Sequence, residues 1–298
     1  MEIEFLGTSS AVPTKNRNHS SVSIKAFGEI ILFDCGEGTQ KQLTCAHISP
    51  MKINRIFITH FHGDHILGIP GLIQTMNFRG REKPLHIYGP RGLKALANAV
   101  RHLGYLVLNF PLKLHEIQNE GIILETEQYK IDTRFVEHNV PAIAYSLIEN
   151  KKPRFLRDKA EELGVPVGPC FNKLHNGESV NINGKTIKPE MVLGPPRKGK
   201  KITYSGDTRP CEKLVELACE SDILIHESTY QEEDEKRAID NAHSTSKEAA
   251  TIGKKSKVKQ LILTHFSTRY NDTKTILEEA CKIFPNTITA YDFLKIEL

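Results

Sequence analysis

The chain has 298 residues, 39% apolar and 26% charged, which is enough for one large globular domain or two modest ones. No run approaches the ~20 apolar residues of a membrane span. The start, Met1 to Gly7, lacks the basic and apolar regions of a signal peptide and reads as a first strand, so a cytoplasmic protein with no membrane partner is expected. The net charge of +4 says little by itself, but Lys151 to Lys201 holds 12 Lys/Arg against 5 Asp/Glu, a balance of +7.

In chain order, β-branched and aromatic runs predict strands over 2–6, 21–26, 29–33, 54–59, 85–88, 122–126, 130–136, 142–148, 202–205, 222–226, 259–264 and 287–290. Helical periodicity predicts helices over 38–47, 66–78, 91–102, 211–219, 245–255 and 272–283. This alternation argues for α/β layers with helices on the sheet faces. Consecutive strands near 2–33 and 122–148 imply hairpins and a mixed sheet, which a purely parallel Rossmann sheet would not need. From Asn150 to Lys201 the pattern breaks into a stretch rich in Lys, Arg, Gly, Pro and Asn, with a short helical piece near 158–163. It reads either as a solvated surface insertion or as a projecting basic arm that contacts phosphates. Charge segregation favours the arm.

The six cysteines include no Cys-x-x-Cys pair, which excludes a cysteine-type zinc finger and a thioredoxin-like motif. They read as small buried apolar residues, with no disulfide framework. Any metal must therefore be held by histidine and carboxylate. The sharpest local signal is Thr59-His60-Phe61-His62-Gly63-Asp64-His65, which follows an apolar strand and precedes an apolar helical stretch. Histidines two apart on an extended segment offer two imidazoles to one metal. A tight turn at Gly63 can aim Asp64 and His65 at a second. That ligand set suits Zn²⁺ when no thiolate is supplied. His138, Asp207 and His265 each stand just after a predicted strand, and ligands at successive strand ends converge on one sheet edge.

This pattern, His-x-His-x-Asp-His with a later His, Asp and His, resembles the metallo-β-lactamase superfamily. The resemblance implies an αβ/βα four-layer sandwich, a single domain over 1–298 with an inserted arm over 150–195, and two Zn²⁺ per subunit. His60, His62 and His138 would bind one zinc. Asp64, His65 and His265 would bind the other, and Asp207 would bridge them. Asp34 would buttress the ligands from behind.

Further motifs are similar to the ribonuclease Z (tRNase Z) family: Pro13-Thr14-Lys15-Asn16-Arg17-Asn18, Gly36-Glu37-Gly38-Thr39-Gln40, Gly164-Val165-Pro166-Val167-Gly168-Pro169, Ser205-Gly206-Asp207-Thr208-Arg209-Pro210, His243-Ser244-Thr245 and Thr264-His265-Phe266-Ser267-Thr268-Arg269-Tyr270. By this resemblance the substrate is precursor tRNA, cut after the discriminator nucleotide to leave a 3′-hydroxyl. Lys15, Arg17 and Asn18 would lie near the tRNA 3′ end. Gly164, Pro166, Gly168 and Pro169 mark the tRNA-gripping arm, and Arg269 could pair with a phosphate. Asp64 would accept the proton of the attacking water, while His243, oriented by Glu227, would serve as general acid. Histidines 19, 47, 86, 102, 115, 175 and 226 read as surface or packed side chains, although His175 lies within the arm. A homodimer is implied, and no nucleotide cofactor. Rival readings are another hydrolase of the same fold, such as a thioesterase, an arylsulfatase or a general phosphodiesterase, and an RNA-binding protein with a decayed site.

Overall fold

Strand β1 (Glu2–Gly7), buried along most of its length, pairs antiparallel with β2 (Ser21–Ala26), which pairs antiparallel with β3 (Glu29–Phe33). From β3 onward the pairing becomes parallel, through β4 (Ile53–Phe57), β5 (Leu85–Gly89) and β6 (Leu112–Glu116). Parallel neighbours need crossovers. These contain α1 (Thr39–Cys45), the single turn α2 (Gly63–Ile66), α3 (Ile69–Phe78) and α4 (Leu93–Arg101). The computed structural model describes residues 1–101 and 107–298; the end of the helix expected over 91–102, with His102, falls outside the described residues.

The second sheet begins with β7 (Gly121–Glu125), β8 (Tyr129–Val136) and β9 (Ala142–Glu149). The chain then forms most of a separate compact unit, comprising Thr126–Tyr129 and Glu149–Lys200. That unit holds α5 (Arg157–Glu162), α6 (Pro169–His175), the hairpin of β10 (Val180–Ile182) with β11 (Lys185–Ile187), and α7 (Pro189–Val192). They close on a small core of Ala160, Val165, Leu174, Val180, Ile187 and Val192. Only one short helix was expected here. The six core residues are too scattered among polar neighbours to set up a period.

The larger unit, Met1–Glu125, Lys130–Ile148 and Lys201–Leu298, resumes with β12 (Lys201–Tyr204). It continues through α8 (Glu212–Ala218), β13 (Ile223–Glu227), α9 (Glu235–Asp240), α10 (Ser246–Lys255), β14 (Gln260–Thr264), α11 (Lys274–Cys281) and β15 (Thr287–Thr289). β12 to β15 pair in parallel, and β12 joins β9 antiparallel. A last strand, β16 (Lys295–Glu297), returns to the first sheet beside β1. Both sheets have seven strands.

The two sheets meet through aromatic rings. Phe33 and Phe57 of the first sheet stack at 5.5 Å, and Tyr145 and Tyr204 of the second lie within 6 Å of Phe33, at 5.9 and 5.7 Å. Such rings bury large apolar areas. The outer faces are covered separately: α1, α3 and α4 pack apolar side chains on the first sheet, and α8, α10 and α11 on the second. The result is a four-layer αβ/βα sandwich, as the resemblance implies.

Several expectations need correction. The helix expected over 66–78 is broken between α2 and α3. A side chain at Gly68 would meet the Gly36 carbonyl oxygen at 2.1 Å, and Pro70 sits in the first turn of α3, where a missing N–H costs nothing. The tight turn expected at Gly63 is the single-turn helix α2, which Gly63 opens with His62 as its N-cap. Of the cysteines, only Cys35 is buried, while Cys45 and Cys219 are exposed; all six thiols are free. The strands β6 and β16 and the helix α9 were not anticipated, each being mostly polar and so without an apolar run.

Candidate metal centre and active site

Strands β3, β4, β8, β12, β13 and β14 end at one edge of the sandwich, and the residues just past those ends turn their side chains together. His60, His62, His138 and Asp207 bring one ligand atom each within 4.8 Å of one another, as do Asp64, His65 and His265, and Asp207, His243 and His265. All seven residues expected to hold metal therefore lie in one cluster, joined by His243. Asp207 reaches it because Gly206, at φ +60, lets the chain pass closely over Thr59; a side chain there would lie 2.7 Å from the threonine methyl.

The spacing fits zinc. His60 Nε2 lies 3.0 Å from His62 Nδ1, His138 Nε2 lies 3.3 Å from that same nitrogen, and His60 Nε2 lies 3.6 Å from Asp207 Oδ2. Across the cluster, His65 Nε2 lies 3.3 Å from His265 Nε2 and 3.5 Å from Asp64 Oδ2. Asp207 Oδ2 stands 3.3 Å from His65 Nε2 and 3.4 Å from His265 Nε2. Zinc bonds of about 2.0–2.1 Å place the ligand atoms of a tetrahedron about 3.3 Å apart.

The outer ring nitrogens supply an independent test. His65 Nδ1 donates to Asp34 Oδ2 at 2.8 Å, and His138 Nδ1 donates to the Ala242 carbonyl at 2.7 Å. His60 Nδ1 faces Thr59 Oγ1 at 3.0 Å, and that hydroxyl in turn donates to Asp34. His265 Nδ1 faces Thr229 Oγ1 at 2.9 Å, whose proton goes to Glu227 Oε2. Each partner assigns the ring proton to Nδ1, leaving the Nε2 lone pair aimed into the cluster. The donor set and its tautomers fit a pair of zinc ions.

Asp34 is the hub of this support. Fully buried and left-handed at φ 58, it also accepts the Thr59 backbone N–H at 2.8 Å and the Tyr204 hydroxyl at 2.9 Å. A non-glycine residue in that conformation costs strain, which the surrounding bonds offset. The sequence reading anticipated Asp34 but missed Thr59, Tyr204 and Thr229. Thr59 opens the histidine motif and Thr229 stands two residues after Glu227, yet nothing in their spacing marks a hydroxyl as an orienting group.

Charge is shaped by burial and by these neighbours. Burial opposes ionisation of Asp64, but the adjoining His265 and His65 imidazoles outweigh it and hold the carboxyl well below its usual range. Burial drives His60 toward neutrality, as a ligand requires. His243 behaves differently. Burial disfavours its charge, but the carboxylate of Glu227, with Oε1 at 2.8 Å from Nδ1, lifts it to about 9. Glu227 is shifted the opposite way by the same pairing, against its own burial. His243 is therefore an imidazolium at neutral pH.

His243 is fixed from its main chain as well. Arg209 Nη1 donates to the His243 carbonyl at 2.5 Å, and the guanidinium is clamped by Glu248. Glu248 completes a capping box with Thr245, the N-cap of α10. Arg209 stood within a quoted motif, but its clamping role was not anticipated.

The residues expected near substrate fall into two groups. Lys15, Arg17, Asn18 and Arg269 lie in the larger unit. Ala11 N donates to Asp64 Oδ2 at 2.8 Å, which ties the start of their loop to the cluster. Lys15 is exposed, whereas the Arg17 guanidinium is engaged by the carbonyls of Tyr270, at 2.6 Å, and Ser267, at 3.3 Å. Asn18 Nδ2 donates to the Glu37 carbonyl at 2.8 Å. Arg269 lies over the Tyr230 ring at 5.5 Å and keeps an exposed face. Gly164, Pro166, Gly168 and Pro169 lie in the second unit, with Val165 buried beneath them and Val167 exposed. Of the remaining histidines, His226 is buried against the Glu227 carbonyl, His175 bonds the Pro153 carbonyl, and His86 pairs with His115 at 3.0 Å.

Comparison with known proteins agrees with this geometry. A family profile described as a beta-lactamase superfamily domain matches residues 175–266, and one described as the anti-Pycsar protein Apyc1 matches residues 1–152. The ribonuclease Z of Methanothermobacter thermautotrophicus is 53% identical over 298 residues, covering 100% of this chain and 97% of that protein. That of Bacillus subtilis is 43% identical over 305 residues, covering 100% and 99%. The crystal structure of human tRNase Z, short form, superposes with a TM-score of 0.74 at 29% identity, covering 100% of this chain and 99% of that one. This chain carries its histidine–carboxylate cluster at the edge of a four-layer sandwich, and its identity of 43% and 53% to these two ribonucleases Z over its whole length places it in the ribonuclease Z family of the metallo-β-lactamase fold.

Proposed function

We propose that this endoribonuclease removes the 3′ trailer of precursor tRNA by hydrolysing the phosphodiester after the discriminator nucleotide, leaving a 3′-hydroxyl on the tRNA. The observation that carries this reading is the cluster of five imidazoles and two carboxylates, in which the outer nitrogens of His60, His65, His138 and His265 each have an orienting partner. Two zinc ions fit it: His60, His62 and His138 would hold one, Asp64, His65 and His265 the other, with Asp207 between them. When bound, zinc supplies Lewis acidity and neutralises phosphate charge.

The chain's own groups divide the proton transfers. Asp64, kept ionised by His65 and His265, accepts a proton from the attacking water. His243, kept protonated by Glu227, gives one to the departing 3′ oxygen of the tRNA. Water adds to phosphorus, the bond to that oxygen breaks, and the phosphate stays on the trailer. The basic segment over 150–195 grips tRNA through phosphates, consistent with its balance of +7 between Lys151 and Lys201. Arg269 steadies a phosphate near the cut, and Lys15, Arg17 and Asn18 form the loop that senses the 3′ end. The enzyme acts as a homodimer in the cytoplasm; among the described residues no helix is long and apolar enough to cross a membrane.

The test is cleavage of a 3′-extended tRNA transcript by zinc-loaded and chelator-treated protein side by side. Metal-dependent cutting after the discriminator is expected, with Asp64→Ala binding tRNA but not cutting it. Failure to cut by protein with two bound metals would redirect the assignment to thioester or sulfate-ester substrates. A monomeric mass by light scattering would refute the dimer.

A further inference from the structure

A cavity of about 550 Å³ opens among the C-terminal ends of β5, β6 and β8 and the start of β9, on the edge that carries the metal centre. Its walls continue into the ligand segments. Phe135 and Val136 line it and run directly into Glu137 and His138. Ile143, another lining residue, donates its N–H at 3.0 Å to the carbonyl of Thr59, the residue before His60. Arg91 lies beside Gly92, where an added side chain would stand 3.4 Å from the Phe61 ring.

The lining is suited to a nucleotide. Buried Ile117 and Ile143 give an apolar floor, Phe135 adds a ring, and Gln118, Asn119 and Arg91 stand exposed at the rim. No lining residue is acidic; the nearby Glu120 carboxylate is engaged by the Phe135 N–H at 2.9 Å and by Lys213 at 2.8 Å. A ring with amide and guanidinium groups around it is the set that stacks an unpaired base and hydrogen-bonds its edges. The volume lies within the ordinary range for small-ligand sites.

Position decides which nucleotide. Under the proposed cut, the departing oxygen is the 3′ oxygen of the nucleotide on the 5′ side, and its proton donor is His243. That ring lies 5.1 Å from the His138 ring, and the carbonyl before it accepts from His138 Nδ1 at 2.7 Å. The loop containing Lys15 joins the opposite side of the cluster, through Ala11 to Asp64 and through Arg17 to Ser267 and Tyr270. We infer that the cavity beside His138 receives the discriminator nucleotide and stacks its base on Phe135. This inference rests on the proposed cleavage position.

The experiment begins by mapping the cut on a transcript with zinc-loaded wild-type enzyme; a cut elsewhere would refute the cleavage reading itself. With that position established, 4-thiouridine is placed at the discriminator or at the first trailer nucleotide, and each transcript is irradiated with the Asp64→Ala protein. The discriminator label is expected to crosslink to the peptide containing Phe135, and the trailer label to other peptides. A trailer crosslink at Phe135, or a discriminator crosslink elsewhere, would overturn the assignment. In turnover, Phe135→Leu is expected to raise KM about ten-fold with kcat unchanged, while Phe135→Tyr restores KM. Equal loss of kcat by Phe135→Leu on tRNA and on a small diester would make Phe135 structural and overturn it as well.

Discussion

Glu227 Oε1 stands 2.8 Å from Nδ1 of His243 and also accepts the backbone N–H of Thr208 at 2.9 Å, so one buried carboxylate ties the imidazole to the loop carrying Asp207. Its other oxygen accepts from Thr229, which orients His265. A single side chain therefore orients both His243 and, through Thr229, His265.

The pairing makes a signed prediction about pH. His243 is raised to about 9, so the proton-donating form prevails below that value and is lost as pH rises through it. Glu227→Gln removes the charge that raises it. The alkaline fall in kcat should then move to lower pH, with a loss on the order of 10²-fold at pH 8. An unmoved alkaline limb in the kcat–pH profile would remove His243 from the proton transfer.

Asp34 touches no expected ligand atom of the metals yet holds His65 directly and His60 through Thr59. Asp34→Ala should weaken zinc binding by about 10- to 100-fold. Metal content after dialysis against graded chelator measures this; wild-type retention would show that the histidines orient themselves.

Asp292 accepts from Thr8 Oγ1 and the Asn18 N–H, both at 2.8 Å, and from Gln42 Nε2 at 3.0 Å, pinning the end of the loop that carries Lys15. Burial outweighs these donors and lifts its carboxyl to about 6. The folded state therefore holds its proton more tightly than the unfolded state, and this residue's contribution declines as pH rises from about 4 to 6. Thermal unfolding of the wild type and Asp292→Asn should show the wild type losing ground to the variant across that window. Parallel Tm curves would contradict it.

The second unit carries exposed Lys159, Lys173 and Lys185 on a folded core of its own. Changing all three to Gln should weaken tRNA binding, flatten its dependence on salt, and leave hydrolysis of a small phosphodiester unchanged. Filter binding across a salt series measures the slope; an unaltered slope would place these lysines away from the RNA.

The seven residues of the candidate metal cluster were legible because metal chemistry restricts residue type and favours a short motif and strand ends, and the structure brings them together. The sandwich was legible because strands and helices long enough to show a period make up most of the larger unit. β6, with five residues, is no shorter than β3 or β4, but it and β16 and α9 are mostly polar, so no apolar run marks them. The break at Gly68 depends on the Gly36 carbonyl, a neighbour that no local pattern contains.

From the sequence alone follow the residues of the candidate metal cluster, the α/β layering and the basic segment, each a matter of residue type and local order. The tertiary structure alone determines the ring tautomers, the hub at Asp34, the charge on His243 and the fixing of Arg17 by two carbonyls. Those depend on hydrogen bonds and burial between residues far apart in the chain, as with Tyr204 and Asp34, 170 positions apart and 2.9 Å from oxygen to oxygen.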